Sequence, residues 1–492
     1  MRRHEFFDIR KVRRTYDRAR NTFSFNISYS TAVALTPRSK ATAEAFGLGL
    51  DEEHRFRVLD VDLKIGPTDI VYITGDSGSG KSVLLRAIKQ DLGDEAVDVA
   101  DIQAPHDKPL IETVGKTVEE GFELLAKVGL GDAFLFLRSY DQLSDGQRYR
   151  YRLAKLIESD KQWWILDEFA ATLDRDTAKI VAYNLQKLAR QHGKAVLAAT
   201  THLDLFEDLH PSVHVHKRFG KEITVKYYPN MPAAECTLVK EMRVTEGSTE
   251  DWRALAGFHY RSHRITAPRK IFCLKRGEEL CGVIVYGYPA SAAFGRRLVL
   301  PRMSMHELNK KLSVISRVVV HPKYRTVGLG VKLVKETLAL AGTEYVEMSA
   351  VMAKYNPFAE KAGMKKIVEQ QPPREAKKML EVLAGLGFNA DSLGSTKYVS
   401  NTLEGLNEEQ MQKVRNVLTT QRHPRFLKSF SNDLPFGTRE AYKRKIAHAS
   451  VEKLAGLIKI CGFLMQTKAY LFWTKKGKLR LRVTQPFASV LS

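Results

Sequence analysis

Residues 70–88 constrain the fold of this chain more than any other segment. Ile70 to Ile73 form an apolar, mostly β-branched run, which predicts a buried strand. The run leads directly into Gly75 to Ser82, a segment of the form G-x-x-x-x-G-K-S, and then into the helical pattern of residues 83–88. A strand, this glycine-rich sequence and a helix in that order are the setting of a phosphate-binding loop. The segment therefore predicts an α/β domain with a nucleotide site.

The phosphate-binding loop also predicts how the nucleotide is held. Its glycines allow backbone N–H groups to converge on the phosphates, and the helix N-terminus adds a favourable dipole. Lys81 is predicted to neutralise charge on the β- and γ-phosphates, and Ser82 to ligate Mg²⁺. The residues of this loop predicted to bind the cofactors ATP and Mg²⁺ are Gly75, Asp76, Ser77, Gly78, Ser79, Gly80, Lys81 and Ser82.

A second predicted strand, Trp163 to Leu166, ends in two carboxylates, Asp167 and Glu168. Carboxylates at the end of an apolar strand beside a phosphate site require a cation or a water molecule to stabilise them. Asp167 is predicted to hold Mg²⁺, and Glu168 to act as the base that positions or deprotonates the attacking water. A third apolar run, residues 196–199, is followed by His202, which places a histidine at the end of a third predicted strand.

The segment Leu143-Ser144-Asp145-Gly146-Gln147 resembles the LSGGQ signature of the ABC ATPases. Asp174 stands where that family has its D-loop, and His202 where it has its switch histidine. The resemblance covers about residues 20–230. It implies that Ser144 and Gly146 contact the nucleotide bound to a second subunit, in a composite site that includes Asp174. We therefore expect a homodimer that closes on two ATP molecules.

Two features depart from the family pattern. Asp145 replaces the usual glycine of the signature, and only 63 residues separate Lys81 from Ser144, which predicts a shortened helical subdomain. Gln103 is the candidate for the glutamine that this subdomain carries in the family. In transporters the same region couples to membrane partners. Its reduction, together with a further domain after it, predicts a soluble machine rather than a transporter subunit.

A second domain is predicted after Pro229 and Pro232, where the strand and helix pattern restarts. The predicted elements are strands at 239–244, 270–274, 281–286 and 314–320, with a helix at 249–263. The last strand is followed by the R-x-x-G-x-G sequence of Arg325 to Gly330 and by a further helical pattern. A glycine-rich loop between a strand and a helix is a backbone-amide site for an anion. Unlike the phosphate-binding loop at 75–82, this loop has no lysine–serine pair for Mg²⁺.

The flanks of this loop make it more specific. The next predicted strand, residues 345–352, is followed by Asn356-Pro357-Phe358 and, after three further residues, by Ala362-Gly363-Met364. In this order the segments at about 238–370 resemble the GNAT acyltransferases. The resemblance implies that acetyl-CoA, or another acyl-CoA, is a cofactor. Its predicted contacts are Arg325, Gly328 and Gly330 at the pyrophosphate, Val318 and Val320 along the pantetheine arm, and Asn356.

Acyl transfer requires a base for the amine and a proton donor for the thiolate. Tyr355 is near the position of the acid in that family, and His259 lies where the acceptor cleft is formed. Glu347 is a third candidate. A solvated helix end explains His259 equally well, so the sequence leaves the choice open.

The amount and distribution of charge indicate what kind of partner this chain binds. The net charge is +22, and residues 365–492 hold 23 basic and 10 acidic residues. An excess of this kind favours a polyanionic partner, although a merely basic surface is the alternative. Basic residues there alternate with aromatic ones, a pattern that suits phosphate contact and base stacking. The alternative is that many of these aromatic residues belong to the core. The aromatic residues are Phe426, Phe430, Tyr442, Tyr470, Phe472 and Trp473.

The sequence thus predicts an α/β protein of three parts. These are an ABC-type ATPase domain with a basic N-terminal extension at 1–235, a GNAT acyltransferase domain at 236–370, and a basic, mostly helical region at 371–492. Four scattered cysteines and the lack of a signal or a long apolar run predict a cytoplasmic location without a membrane partner.

The leading hypothesis is an ATP-driven acyltransferase acting on nucleic acid, either DNA or tRNA. One alternative is a non-transport ABC clamp in nucleic-acid repair or translation, whose GNAT domain is not catalytic. The other is a protein or small-molecule N-acetyltransferase.

Overall fold

The computed structural model describes residues 7–31, 36–47, 55–259, 265, 267–351, 356–421, 426, 439–465 and 467–477. Two compact units are distinguished by their internal contacts. The first is Met1–Arg264, Ile271–Val283 and Val318–Leu333; the second is Ile265–Lys270, Ile284–Arg317 and Val334–Ser492.

The strands are β1 Phe7–Asp17, β2 Thr22–Thr31, β3 Arg55–Lys64, β4 Ile70–Thr74, β5 Ala96–Asp98, β6 Trp163–Leu166, β7 Ala195–Ala199, β8 Val213–Lys217, β9 Ile223–Tyr227, β10 Arg243–Glu246, β11 Pro268–Arg276, β12 Glu279–Gly287, β13 Leu312–Val320, β14 Tyr345–Ala350, β15 Lys365–Gln370 and β16 Lys468–Thr474.

The helices are α1 Pro37–Phe46, α2 Lys81–Leu92, α3 Leu110–Thr113, α4 Val118–Lys127, α5 Ala133–Phe136, α6 Asp145–Glu158, α7 Arg175–His192, α8 Phe206–Leu209, α9 Thr237–Lys240, α10 Thr249–Leu255, α11 Arg296–Val299, α12 Met305–Lys311, α13 Leu329–Thr337, α14 Phe358–Lys361, α15 Arg374–Gly385, α16 Thr396–Glu404, α17 Glu408–Thr419, α18 Arg439–Ala447 and α19 Val451–Leu464.

A six-stranded sheet forms the centre of the first unit, in the order β5-β6-β7-β4-β8-β9. All neighbouring pairs are parallel except β8 and β9. Successive side chains of β4 point to opposite faces, so Ile70 and Tyr72 belong to one core cluster and Val71 and Ile73 to the other. Because both faces are covered, these strands are apolar throughout rather than alternating, as parallel strands usually are.

The parallel strands place the candidate site. Since β4, β6, β7 and β8 run in the same direction, their carboxyl ends meet at one edge of the sheet. The glycine-rich loop, the two carboxylates, His202 and the turn after Lys217 all follow these ends. Ligands of open α/β sheets bind at that edge.

An antiparallel sheet of β1, β2 and β3 accompanies this core. Phe23 of β2 is fully buried and lies edge-on to Trp163, with 6.2 Å between the ring centroids. The apolar face of the β1-β2-β3 sheet therefore shares a core with β4 and β6.

A mixed seven-stranded sheet follows, in the order β10-β11-β12-β13-β14-β16-β15. β13 and β14 pair in parallel, with Leu312–Val314 opposite Tyr345–Glu347. β16 pairs antiparallel with both β14 and β15. The boundary predicted at residue 370 therefore lies inside one sheet, because a strand from the C-terminal region completes it.

The residues between β15 and β16 form the helices α15 to α19, around a separate apolar core in the second unit. Met379, Leu403 and Leu454 are fully buried there. The described part of this region consists of these helices and of β16. No helix within the described ranges has the length and apolar character needed to cross a membrane.

Two predicted elements were wrong in part. The strand predicted at 239–244 is instead the short helix α9 followed by β10, because a short apolar run does not distinguish a strand from a buried helical turn. The helix predicted at 249–263 ends at Leu255 and continues as a 3₁₀ turn, Ala256–Phe258. Residues 260–264 lie outside the described residues.

Candidate functional site

The glycine-rich loop packs so tightly that side chains are excluded from it. Gly75 has a φ of 143°, and a Cβ there would lie 1.9 Å from the carbonyl oxygen of Lys217. Gly80 has a φ of 103°, and a Cβ there would lie 2.6 Å from Cγ1 of Val58. Both positions require glycine, so the loop's backbone is shaped by its neighbours as well as by its own sequence.

The backbone of this loop holds the Lys81 side chain over it. Its Nζ donates to the carbonyl oxygens of Gly75 at 2.8 Å and Asp76 at 2.7 Å. Burial lowers the pKa of Lys81, although Asp167 and Asp76 act in the opposite direction. The Oγ of Ser79 is buried and has no hydrogen-bond partner within the described part of the chain. A buried cation and an unsatisfied hydroxyl in one loop fit a bound phosphate.

The two carboxylates follow β6 as predicted. Asp167 is half-buried, and its Oδ1 accepts a hydrogen bond from the Glu168 N–H at 3.0 Å. Glu168 is exposed and has a φ of 52°, unusual for a residue other than glycine. The Phe169 N–H donates to the Ala199 carbonyl at 2.7 Å, which ties this turn to the end of β7.

His202 lies beyond the end of β7. Its carbonyl oxygen accepts a hydrogen bond from the Tyr72 hydroxyl. Burial lowers the pKa of His202, and the positive charge of Arg175 acts in the same direction. The imidazole is therefore neutral at neutral pH.

The signature segment begins α6 and contacts the segment that precedes α7. Ser144 caps α6, and its N–H donates to Oε1 of Gln147 at 3.1 Å. A Cβ on Gly146 would lie 3.0 Å from the Thr172 carbonyl oxygen. Asp174 caps α7 and accepts hydrogen bonds from Thr177. The contact of Ser144 and Gly146 with a second subunit's nucleotide stays a prediction.

Gln103 is exposed in the coil that follows the 3₁₀ turn Val99–Asp101. Its predicted role also stays a prediction.

The predicted acyl-CoA loop, residues 321–330, joins β13 to α13. Val318 and Val320 are partly exposed on β13. Gly328 is exposed with a φ of 89°, and a Cβ there would meet no atom within 4 Å. The strand, loop and helix predicted from the sequence are therefore present, while their binding of a cofactor stays a prediction.

An ionic cluster that the sequence did not predict lies at the start of this loop. Asp176, on the first turn of α7, accepts two hydrogen bonds of 2.9 Å from Arg276 and one of 2.6 Å from Lys323. The Tyr324 hydroxyl lies within hydrogen-bond distance of two carboxylates, 2.6 Å from Glu279 and 3.2 Å from Asp176, which share its single proton. The Arg276 hydrogen bonds hold the pKa of Asp176 far below its usual range, and Lys323 acts the same way. These residues belong to no sequence motif, and they come together only when the chain folds.

Two further contacts fasten the same loop to the ATPase part of the chain. Arg325 donates to the carbonyl oxygens of Val320, at 3.1 Å, and of Gly131. The Asn184 amide of α7 donates to the Thr326 hydroxyl at 2.8 Å. The side chain of Arg325 thus helps to anchor the loop.

The candidates for acyl-transfer catalysis are not equivalent. His259 is half-buried, with its ring 6.0 Å from that of Trp252. Tyr355 lies outside the described residues, and Asn356 is exposed. Glu347 is 4% exposed and accepts hydrogen bonds from Arg296 and Tyr470. A carboxylate held in this way is not available as a base.

The aromatic residues interleaved with basic ones are mostly core. Phe426, Tyr442, Tyr470 and Phe472 are all buried, and Trp473 is half-buried. Phe430 lies outside the described residues. Of the two alternatives left open by the sequence, the four buried rings therefore fit the core rather than base stacking, because alternation of basic and apolar residues also suits an amphipathic surface.

A parallel sheet with a phosphate-binding loop after β4 and two carboxylates after β6 defines a P-loop ATPase. A family model described as ABC transporter matches residues 58–171. The aliphatic sulfonates import ATP-binding protein SsuB 1 of Xanthomonas axonopodis pv. citri is 30% identical over 175 residues, which cover 30% of this chain and 69% of that protein. The phosphonates import ATP-binding protein PhnC of Lactobacillus johnsonii is 28% identical over 209 residues, covering 33% and 78%.

The chain belongs to the ABC transporter family through its ATP-binding domain. It is an ABC ATPase, with ATP as its cofactor. Among solved structures, the dimeric ATP-binding cassette MJ0796 in a post-hydrolysis state with ADP and Pi is 19% identical. The match covers 36% of this chain and 93% of that one, with a TM-score of 0.30.

Proposed function

We propose that this ABC ATPase uses its nucleotide cycle to control an acyl-CoA-dependent acyltransferase in the same chain. The observation that carries the proposal is the ionic cluster around Asp176. It joins the start of α7 to the predicted acyl-CoA loop, through Lys323 and Tyr324. Lys323 also lies 3.7 Å from Asp174, the D-loop residue. A change at the D-loop is thereby transmitted directly to the loop.

At the nucleotide site we assign roles to five residues. Lys81 would bind the phosphates, Ser82 and Asp167 would hold Mg²⁺, Glu168 would orient or deprotonate the water, and His202 would act as the switch histidine near the reacting phosphate. The bound ATP and Mg²⁺ supply the phosphoryl group and the neutralising charge. Ser144 and Gly146 complete the site of a second chain, so the working unit is a homodimer.

At the acyl-CoA site the backbone amides at the start of α13 bind the pyrophosphate. What supports this is the glycine-rich loop between β13 and α13, with Gly328 in a left-handed conformation. His259 and Tyr355 are the residues proposed for proton transfer. Glu347 is left out, because Arg296 and Tyr470 hold it.

Calorimetry tests the acyl-CoA half of the proposal. We expect the wild-type chain to bind acetyl-CoA and Gly330→Val to lose that binding, because the side chain blocks the approach to the backbone. ATP binding stays unchanged. Gly385→Val, in a helix and with open space around it, is the matched control. If the wild type binds neither acetyl-, malonyl- nor free CoA, the proposed acyltransferase activity is contradicted, whereas the ATPase assignment is unaffected.

We propose nucleic acid, DNA or tRNA, as the acceptor. The net charge of +22 supports it, as do the exposed Lys377, Lys378, Lys443 and Arg444. The logarithm of the binding constant then falls linearly with the logarithm of the salt concentration. The slope is about −0.9 for each phosphate contact on duplex DNA. Equal, weak binding to DNA, tRNA and heparin would favour the protein or small-molecule alternative. Binding without new modified nucleosides in mass spectrometry would favour the non-catalytic clamp.

A further inference from the structure

Two histidines of β8 share a face of the sheet with the strand that leads into the phosphate-binding loop. In the register of the parallel pair β4 and β8, Tyr72 lies opposite His214. Two residues further on, Thr74 lies opposite His216. The Thr74 hydroxyl is 2.9 Å from Nε2 of His214 and 3.0 Å from Nδ1 of His216. Thr74 is fully buried, so its hydroxyl has to find partners within the protein, and these two rings supply them.

The shared hydroxyl limits how many protons the two rings can carry. A threonine hydroxyl has one proton to donate and two lone pairs that accept. With both rings neutral, it donates to one ring nitrogen and accepts from the N–H of the other. The donating ring can gain a second proton without changing this pattern. A proton on the accepting nitrogen as well would make both rings donors, and the buried Thr74 proton would lose its acceptor. The pair therefore accommodates one added proton and not two.

The surroundings also oppose a second proton. The two imidazole centroids are 6.4 Å apart, and Lys226 of β9 lies opposite His214. Burial lowers the pKa of His214, and the positive charges of His216 and Lys226 act in the same direction. The other rings against His214, those of Tyr72 on β4 and Phe206 on α8, carry no charge at neutral pH. The second proton is thus taken up only in acid.

The histidine pair is connected to both sides of the nucleotide site. Thr74 directly precedes Gly75, the first residue of the phosphate-binding loop. The ring of Tyr72 stacks on that of His214, with 5.5 Å between the centroids and 25° between the planes. The Tyr72 hydroxyl donates to the carbonyl oxygen of His202. These contacts form one link from the phosphate-binding loop to the segment that carries His202.

We propose that His214 and His216 are positioning residues of the ATPase, which align the phosphate-binding loop with the His202 segment by sharing the Thr74 hydroxyl. The proposal rests on the role proposed for His202 near the reacting phosphate. While the pair carries at most one added proton, the link is intact and His202 stays aligned. When both rings are protonated, the link is lost and hydrolysis slows, although ATP still binds.

Steady-state ATP hydrolysis by the full chain tests this proposal. We expect Thr74→Val, which removes the hydroxyl and keeps the branched shape, to lower kcat about 2- to 12-fold at neutral pH, the range for one hydrogen bond. KM stays unchanged, and Thr74→Ser, which keeps a hydroxyl, restores kcat. Thr224→Val, the same change at an exposed position of β9 opposite His216, is the matched control and leaves kcat unaltered.

The pH dependence distinguishes a positioning role from a merely structural one. As the pH is lowered, the ratio of wild-type to Thr74→Val kcat approaches unity, because the wild type then loses the same link. Protonation of His202 lowers kcat in both proteins and cancels in this ratio. A ratio that does not change with pH would overturn the proposal, since the rings would not release Thr74. A thermal melt of each variant separates these outcomes from unfolding.

A double variant tests the connection to His202. Because Tyr72→Phe and Thr74→Val break the same link, the double variant loses no more activity than the more impaired single variant. Losses that multiply would mean that the histidine pair does not act through Tyr72. Normal hydrolysis by His202→Ala would overturn the proposal in a different way, through the role proposed for His202 rather than through the pair.

Discussion

His202 follows β7 with its side chain partly buried and with Arg175 nearby. Burial and that positive charge both lower the pKa of His202, so the imidazole stays neutral somewhat below the ordinary value of about 6.5. Sign matters here. A histidine that resists protonation in the folded chain favours the unfolded chain as pH falls, and its contribution to stability is lost on the acid side.

We predict that ATP hydrolysis falls on the acid side as His202 gains a proton. Arg175→Met removes the positive charge and leaves the paired Asp204 uncompensated, so the acid limb of kcat moves to higher pH. Arg175→Lys keeps the charge and is the control, with little displacement. The measurement is kcat against pH at saturating ATP. An acid limb that stays in place in Arg175→Met would mean that another group limits the rate.

At the scale of elements, α7 connects the two halves of the mechanism proposed for this chain. It begins at the D-loop with Asp174 as its cap, and two residues later Asp176 binds Arg276 and Lys323. The first turn of α7 thus contacts both the D-loop and the predicted acyl-CoA loop. Because the pKa of Asp176 is held far below its usual range, the cluster is intact at neutral pH and is lost only in strong acid.

We predict that Lys323→Met uncouples the loop without unfolding the chain. The expected loss of stability is about 1 kcal/mol or less, since solvent screens a pair in which the lysine is 31% exposed. Hydrogen exchange of residues 321–330 becomes faster, and ATP no longer alters it. Lys335→Met on α13 is the control. If ATP changes exchange equally in Lys323→Met and in the wild type, the loop does not receive the signal through this cluster.

At the scale of the whole molecule, each chain holds one ATP domain, and the signature residues Ser144 and Gly146 are proposed to serve a second chain. We expect Glu168→Gln to bind ATP without hydrolysing it, and we predict that this variant forms a two-chain species with ATP and Mg²⁺. Light scattering after size exclusion measures its mass. A mass that stays that of one chain would remove the composite site.

Mixing two inactive variants tests the same geometry independently. We expect Lys81→Ala to lose its own nucleotide and Ser144→Arg to block only the partner's site. A mixed dimer therefore keeps one intact site, and hydrolysis reappears on mixing. No recovery would mean that Ser144 does not act across the dimer.

The sequence by itself determined the ATPase class and where the candidate nucleotide-site residues lie relative to the strands. The apolar runs of β4, β6 and β7 were predicted where the structure has them, and the phosphate-binding loop, Asp167 and His202 follow their ends. Such features are local, because strand period, glycine content and strand-end carboxylates are written within a few consecutive residues. The basic and aromatic pattern of the C-terminal region was less informative, since core rings and stacking rings have the same spacing.

Only the tertiary structure decided how these parts are joined. Asp176 meets Arg276 across 100 residues of sequence and Lys323 across 147. β16 enters the sheet between β14 and β15, and the Lys217 carbonyl packs against Gly75 of the phosphate-binding loop. No local pattern encodes these pairings. They join residues that are far apart in sequence, and a partly buried charge requires a partner of opposite sign.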